Sequence, residues 1–522
     1  MNTPVCLIIA PSAFLLDERV FMSLGILRVA AVLEQRGTPV ELLDLSGIEN
    51  YEEVVRLHAA ASPATQFGIT ATTPQMPAAV KIADAIKSVR PNALTILGGP
   101  HITLVSAAVK RERRAGAGRA TTAMETLKKT FDVLVAGDGE TAIFLALEIG
   151  RSECPAFIDA DEPKSSLFLT SAALTKLPFP ARHLVDVDSY HYTIDGHRAL
   201  SLIAQLGCPF ECGFCGGRSS PMLRKIRTRS SENIIEEMVE VYTRYGVTGF
   251  MFYDDELNVN KEIVSLMRGI RAAQDKLGVE WRLRGFAKAE LFTEEQAQEM
   301  YAAGFRWLLI GFESGAPSIL TNINKKASRD DNTRCLELAG NAGLKVKALM
   351  SVGHPGESPE TIQATEDWLI ETRPADFDVT IITTYPGTPY YDEAVPHESR
   401  PDVWTYTYKK TGDRLHAFDV DYTRVAEYYK GNPDGGYHAY VFTDALTSEE
   451  LVKARDHVER DVRSALNIPF NPGAAATRYE HSMGQFGQLP PNILRHSSAE
   501  SLAQAHSYQS DVRNRWFPLA ER

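Results

Sequence analysis

The stretch GCPFECGFCGG, Gly207–Gly217, places Cys208, Cys212 and Cys215 within eight residues of a 522-residue chain that has six cysteines in all. It follows a short apolar run, LSLIAQL (Leu200–Leu206), so the three thiols stand on a loop beyond an early strand. Thiolates hold iron–sulfur clusters, and a four-iron cubane asks for one ligand per iron. C-x-x-x-C-x-x-C supplies three and leaves one iron open. A closed structural zinc site would want a fourth ligand, and Cys6, Cys154 and Cys335 are isolated; zinc with a histidine as the fourth ligand is the alternative. Cys6 in a strand and Cys335 on an apolar helix face read as small hydrophobes.

Downstream of the cysteines, β-like and helical stretches alternate. GFMFY ends in Asp254, Asp255 and Glu256; WLLIG ends in Phe312, Glu313 and Ser314; VKALMSV ends in Gly353, His354 and Pro355; VTIIT ends in Thr384 to Gly387. Polar residues at the carboxyl ends of successive strands are how a β/α barrel builds a site from its βα loops. Thr293 with Gln296, and Ser358 with Pro359, are helix-start signals. Residues 199–395 are therefore expected to form a full or partial barrel.

Upstream, residues 1–150 have a similar rhythm. VCLIIAP precedes the amphipathic LGILRVAAVLEQRG, followed by PVELLDL, QFGITAT, ALTILGG and FDVLVAGDGE with helical stretches between them. Alternation of this kind predicts a doubly wound α/β sheet, whose ligands sit beyond the strands' carboxyl ends. Those ends carry Pro11 and Ser12, Thr70 to Thr73, Gly98 to His101, and Gly137 to Glu140. No G-x-G-x-x-G follows the first strand, which disfavours a dinucleotide. Ile102 to Lys129 reads as a helical or partly disordered excursion, and residues 151–198 as a linker.

The formal net charge of −12 argues against broad binding to nucleic acid or an anionic membrane. KRERR, from Lys110, is the one basic run, expected as a solvated helix face or loop. The first residues lack the basic flank and the apolar length of a signal peptide, and no run approaches a membrane span. A cytoplasmic protein with reduced thiols is the expectation.

Cys208, Cys212 and Cys215, with Phe214 before the last, resemble the signature of the radical S-adenosylmethionine (SAM) superfamily. RTRSSENIIEEMVEVYTRYGVTGFMFYDDELNVN, LIGFESGAPSIL, AGLKVKALMSVGHPGESPETI and YPGTPYYDEA resemble, in order, the barrel of its cobalamin-binding subfamily. LGILRVAAVLEQRG, LGGPH and VAGDGE fit the subfamily's N-terminal half, so the resemblance spans roughly Pro4 to Ala394. It implies a Rossmann-like cobalamin-binding domain, then a partial (β/α)6 TIM-like barrel. It further implies a 4Fe-4S cluster whose open iron binds SAM, and reductive cleavage of SAM to a 5′-deoxyadenosyl radical.

The resemblance carries roles onto individual residues. Cys208, Cys212 and Cys215 hold the cluster. Asp254, Asp255 and Glu256 stand where the superfamily contacts the SAM amine, although a helix-start acidic cluster would read the same way. Glu313 and Ser314 match the position associated with the SAM ribose. Lys288 stands where relatives show an arginine for the SAM carboxylate; it keeps the charge without the bidentate fork, and a surface lysine is the rival reading. The cobalamin set is Ser12, Thr70, Thr72, Thr73, Gly98, Gly99, His101, Gly137, Gly139 and Glu140. The lower-ligand motif D-x-H-x-x-G is missing: Asp195-Gly196-His197 continues to Leu200 and lies in the linker, a coincidence. His354 faces either the substrate or a packing role, and His101 either the corrin or nothing.

These residues imply a methyltransferase acting on an unactivated carbon of a small molecule. The alternatives are a cyclase or rearrangement enzyme without methyl transfer, and a non-catalytic cobalamin or cluster binder. An external electron donor such as flavodoxin or ferredoxin is implied. Residues 396–522 form a C-terminal region with aromatic β-like runs, including Trp404 and Tyr408, and an amphipathic helix at Ser448–Asn467. They are expected to cap the barrel rim and to select the substrate.

Overall fold

A computed structural model describes residues 3–12, 18–115, 118–425 and 438–468. β1 (Val5–Ile9), β2 (Val40–Asp44), β3 (Gln66–Thr70), β4 (Leu94–Gly98), β5 (Val133–Gly137) and β6 (Ala156–Ala160) form one parallel sheet in the order β2-β1-β3-β4-β5-β6. The order reverses between β1 and β3, the crevice where a doubly wound sheet takes its ligand. Both faces are covered, which is why these strands read as continuous apolar runs. Val5, Leu7 and Ile9 pack with α1 (Leu24–Gln35) on one face. Cys6 and Ile8 pack with α2 (Tyr51–Ala61) and α3 (Met76–Val89) on the other. β6 comes from the stretch expected to be a linker: its backbone edge-pairs with β5 and extends the first sheet past residue 150.

The excursion after β4 is a helical pair, α4 (Pro100–Ala115) and α5 (Arg119–Thr130). KRERR lies on α4, where Lys110, Arg111 and Glu112 find partners while Arg113 stays exposed. Lys110 pairs with Asp159 at 2.7 Å, Arg111 with Glu393 at 2.7 Å, and Glu112 accepts from the N–H groups of Gly118, Ala120 and Thr121, capping α5. α6 (Gly139–Glu148) follows β5.

Six parallel strands then run in sequence order: His197–Leu202, Gly249–Phe252, Arg282–Phe286, Phe305–Glu313, Lys345–Val352 and Asp376–Ile381. This is the expected partial barrel, with a two-residue hairpin strand, Thr193–Ile194, on its first edge. Its helices are capped as the sequence suggested: the Thr293 and Ser358 side chains accept from the N–H groups of Gln296 and Thr361. Past the barrel, Val403–Thr407, Arg414–Phe418 and Val441–Thr443 form an antiparallel sheet with a short edge strand at Val395–Pro396. The helix Ser448–Leu466 docks on the last barrel strand through buried charge: Arg463 pairs with Asp376 at 3.2 Å, and Glu459 accepts from the Val379 N–H at 2.7 Å. Residues 469–522 lie outside the described residues, and the part of the substrate-selecting expectation that rests on them lies there too.

Candidate active site

The cysteine loop is clamped by backbone contacts that only small residues allow. Gly207 sits at φ +88°, and a Cβ there would lie 2.4 Å from the Lys225 carbonyl oxygen. A Cβ on Gly213 would lie 2.4 Å from the Tyr390 ring, and one on Gly217, at φ +81°, 2.3 Å from Leu223. Hydrogen bonds fix the rest: Cys208 N–H to Leu223 O at 3.0 Å, Gly213 N–H to Ile323 O at 2.8 Å, and Gly217 N–H to Gly387 O at 3.1 Å. The glycines of this stretch are thus positional, holding three thiols at a chosen spacing.

Cys208, Cys212 and Cys215 are electrostatic neighbours. Burial pushes the Cys208 thiol up to about 11, with Glu256, Asp255 and Cys212 adding to the shift. Burial also raises Cys212, while the Lys325 and Lys288 ammoniums pull it back. Cys215 is accessible yet crowded, as a group lining a recess is, and burial raises it well above the thiol range. Two lysines beside otherwise disfavoured thiolates fit an anionic cluster that deprotonates its ligands.

Each residue expected to contact SAM has a defined place. Asp254 is turned inward: its Oδ1 accepts from the N–H groups of Ala204, at 3.0 Å, and Gln205, and burial pushes its carboxyl up to about 7. It fixes the chain entering the cysteine loop. Asp255 is exposed at the rim, while Glu256 is half-buried and raised to about 7 by burial despite Lys325 and Lys288. Lys288 is no surface lysine. Its side chain is buried, 3.2 Å from a Glu290 carboxylate oxygen and with Nζ 4.1 Å from the centre of the Phe210 ring, inside the cysteine loop. Ser314 is taken up by packing; its Oγ lies 3.0 Å from the Thr365 hydroxyl and accepts from Ala316 N–H.

Glu313 stands at φ +67° and anchors a buried relay. Its carboxylate accepts from Lys325 Nζ at 2.9 Å and from Ser351 Oγ at 2.7 Å. Ser351 Oγ lies 2.8 Å from His354 Nε2, and His354 Nδ1 lies 3.3 Å from the Tyr390 hydroxyl. Burial opposes charge on Glu313, but Lys325 outweighs it and holds the carboxyl low. Burial pushes His354 down to about 4, so the imidazole is neutral at pH 7. Its ring stands edge-on to Phe214, 5.4 Å between centres. Lys325, Ser351 and Tyr390 escaped the sequence reading because no local motif marks NINKKAS, and strand ends meet only in the closed barrel.

A cavity of about 280 Å³ lies at the β1/β3 crevice, between the first sheet and the barrel's entry loops. Thr70, Thr72, Gly98, Gly99, Gly137, Gly139 and Glu140 line it, as expected, and Ile203, Leu206 and Leu223 close it from the barrel side. Ser12, Thr73 and His101 do not: Ser12 Oγ accepts from Gln75 Nε2 at 3.0 Å, and Thr73 Oγ1 lies 3.1 Å from His101 Nδ1. The lining has a glycine floor. A Cβ on Gly68 in mid-β3 would lie 2.8 Å from Leu7, and one on Gly137, at φ +93°, 2.3 Å from the Ala160 carbonyl carbon. Arg28, Gln75, Thr103 and Asp138 also line it; of these, only Asp138 lies in a strand end that the sequence marked, Gly137 to Glu140. A mainly apolar slot of this size with close backbone approach suits a flat, apolar part of a larger ligand such as cobalamin.

Asp138 also joins the two units. It takes both Arg227 Nη1 contacts, at 2.6 and 2.8 Å, and Leu169 N–H at 2.8 Å, while Arg227 Nη2 donates to Met222 O at 3.1 Å. The loop beside the slot and the loop behind the cysteines are thereby tied together.

Comparison with known proteins agrees with this geometry. A B12 binding domain model matches residues 18–128 and a Radical SAM superfamily model matches residues 202–369. An uncharacterised methyltransferase of Pyrococcus horikoshii is 28% identical over 343 residues, covering 63% of this chain and 69% of that one. An anaerobic magnesium-protoporphyrin IX monomethyl ester cyclase of Cereibacter sphaeroides is 24% identical over 354 residues, covering 65% of this chain and 54% of that one. The chain thus spans between about half and two thirds of these relatives. The radical SAM methyltransferase TsrM of Kitasatospora setae, solved with its tryptophan substrate and a SAM analogue, shares the fold at a TM-score of 0.64. That match has 16% identity and covers 98% of this chain and 99% of that one. The chain thus carries a B12 binding domain followed by a Radical SAM superfamily domain, on a fold it shares with a radical SAM methyltransferase.

Proposed function

We propose that the protein is a cobalamin-dependent radical SAM methyltransferase that methylates an unactivated carbon of a small molecule. The observation that carries this reading is the seam itself. The glycine-floored slot is closed by Leu206 and Leu223, the residue before the three-thiol loop and the one whose carbonyl holds Cys208, at an interface locked by the buried Asp138–Arg227 pair. When bound, the cluster with SAM supplies a carbon-centred radical, and cobalamin supplies the methyl group. This chain's own residues do the placing. Cys208, Cys212 and Cys215 hold the cluster, and Lys288 and Lys325 set positive charge beside it. Asp255 and Glu256 offer carboxylates to an amine, and Asp254 holds the backbone that presents them. The Glu313–Ser351–His354 relay keeps the barrel wall neutral and fixed in orientation. The slot's apolar walls exclude water from the methyl donor.

Reduction of the cluster calls for one electron at a time from an external donor, in our reading a flavodoxin or ferredoxin. Six unbridged cysteines support a reducing compartment, and we assign the protein to the cytoplasm on that ground; no helix among the described residues is long and apolar enough to cross a membrane.

The test is product accounting with methyl-deuterated SAM in the anaerobically reconstituted protein. One 5′-deoxyadenosine and one S-adenosylhomocysteine per methylated product, with the labelled methyl intact, is the expected result. 5′-Deoxyadenosine alone, with a product of unchanged carbon count, would overturn methylation in favour of cyclisation, the activity named for the Cereibacter relative.

A further inference from the structure

A second cavity, of about 720 Å³, lies where three units of the protein meet. The α4–α5 pair gives His101, Arg119, Thr122 and Thr126; the exit loop of the last barrel strand gives Pro386 and Tyr391; the cap gives Trp404 and the segment Asp419–Thr423. It is separate from the cobalamin slot but touches the same machinery. His101 follows Gly98, Gly99 and Pro100, which line that slot. Pro386 precedes Gly387, whose carbonyl holds the cysteine loop, and Tyr391 follows Tyr390, whose ring rests on Gly213.

Arg119 is the group that gives this chamber a chemistry. Its side chain is 92% shielded, and the guanidinium carbon lies 3.6 Å from the Tyr391 ring centre and 4.5 Å from that of Trp404. Among the described residues its one hydrogen bond is from Nη2 to Tyr391 O at 2.8 Å, and the buried Nε has no partner there. A guanidinium packed against two rings, with donors left over among the described residues, can receive an anion. The exposed carboxylates of Asp419 and Asp421 also line the chamber; Asp419 is within electrostatic reach of Arg119, and Asp421 Oδ1 accepts from the Thr423 N–H at 3.0 Å and its hydroxyl at 2.6 Å. Together they repel a simple anion and attract an amine.

We propose that this chamber recognises the substrate and that the substrate is a small zwitterion. Its anionic group seats on Arg119, its amine faces Asp419 and Asp421, and its body lies against Trp404 and Pro386. The assignment rests on the methyltransferase reading above and names the substrate class for it. It also gives a function to Trp404, which the cobalamin slot leaves unused.

Calorimetric titration of the full-length reconstituted protein with L-phenylalanine, 2-phenylethylamine and 3-phenylpropionate tests it, because the three share a body and differ only in charge. The zwitterion is expected to bind at least about tenfold more tightly than either single-charge probe. Arg119→Met is expected to abolish its advantage over the amine. Asp421→Asn, whose amide oxygen can still accept from Thr423, is expected to reduce its advantage over the carboxylate at least about threefold. Corrin and cluster absorbance report that both variants are folded and loaded, and Asp421→Asn carries the test if Arg119→Met fails that control. Equal binding of the three probes, no binding of any, or an unchanged preference in a loaded variant would overturn the proposal. Because the readout is binding, it is separable from catalysis: the expected preference in protein that yields no methylated product sustains the chamber and overturns the methyltransferase reading alone.

Discussion

At the residue scale, the chemistry of the site depends on which thiols are interchangeable with apolar groups. Cys335 is fully buried on an apolar helix face and Cys212 is not; Lys325, Lys288, Glu313 and Glu256 surround Cys212 electrostatically. Cys212→Ala is therefore expected to lose 4Fe-4S absorbance after anaerobic reconstitution, and Cys335→Ala to retain it; a full cluster in the Cys212 variant would refute the assignment. Glu313 makes a second case. Glu313→Gln leaves the buried Lys325 ammonium without its carboxylate, and breaking such a pair costs about 3–5 kcal/mol. Chemical unfolding is expected to show a loss of that order, with the cysteine loop's neighbour Ile323 among the first regions to exchange amide hydrogens. The three cysteines were legible in the sequence because their spacing is local. Lys325 was not, because it reaches Glu313 only once the fourth barrel strand has turned over it.

At the element scale, the first sheet owes its slot to a strand that stops on a glycine. β5 ends at Gly137, in left-handed backbone pressed against the Ala160–Asp161 peptide of β6. Gly137→Ala is expected to push β5 and β6 apart at the slot's edge and to reduce corrin retained through gel filtration to well under half of the wild-type stoichiometry, while the cluster signal persists. Equal corrin content in the variant would show that this edge does not shape the slot. β6 itself was read as linker, since AFIDA is short and flanked by turn residues; its strand character comes from pairing with β5. The opposite holds for the helices: Thr293 and Ser358 announced their starts, because a cap is satisfied within its own first turn.

At the scale of the whole molecule, the interface between the two units contains a carboxylate in an awkward position. Asp161, at the end of β6, accepts the Met222 N–H at 2.6 Å from the barrel side, and its Oδ2 is buried without a partner. Burial raises its carboxyl to about 6. A carboxyl raised above its unfolded value favours the folded state when protonated, so its contribution is complete below about pH 4 and is lost as pH rises through about 6. Asp161→Asn, which imitates the neutral acid, is expected to gain roughly 2 kcal/mol relative to wild type at pH 7.5 and nothing at pH 4. Unfolding midpoints at the two pH values measure the difference; a gain that does not depend on pH would remove Asp161 from the account.

The sequence by itself determined the elements and the chemical inventory of this protein: alternating strands and helices in both halves, the order of the two units, the three thiols, and the polar strand ends. These are set by periodicity, turn residues and spacing, which act over a few residues. The tertiary structure alone decided how they are used. It turned Asp254 inward onto the backbone of Ala204 and Gln205, buried Lys288 against Phe210, withdrew His101 from the slot it was expected to line, and paired Lys110 and Arg111 with Asp159 and Glu393. The physical reason is common to all of these. A charged side chain's role depends on which partners and how much water remain around it, and at an interface between two units those partners come from residues scores of positions away.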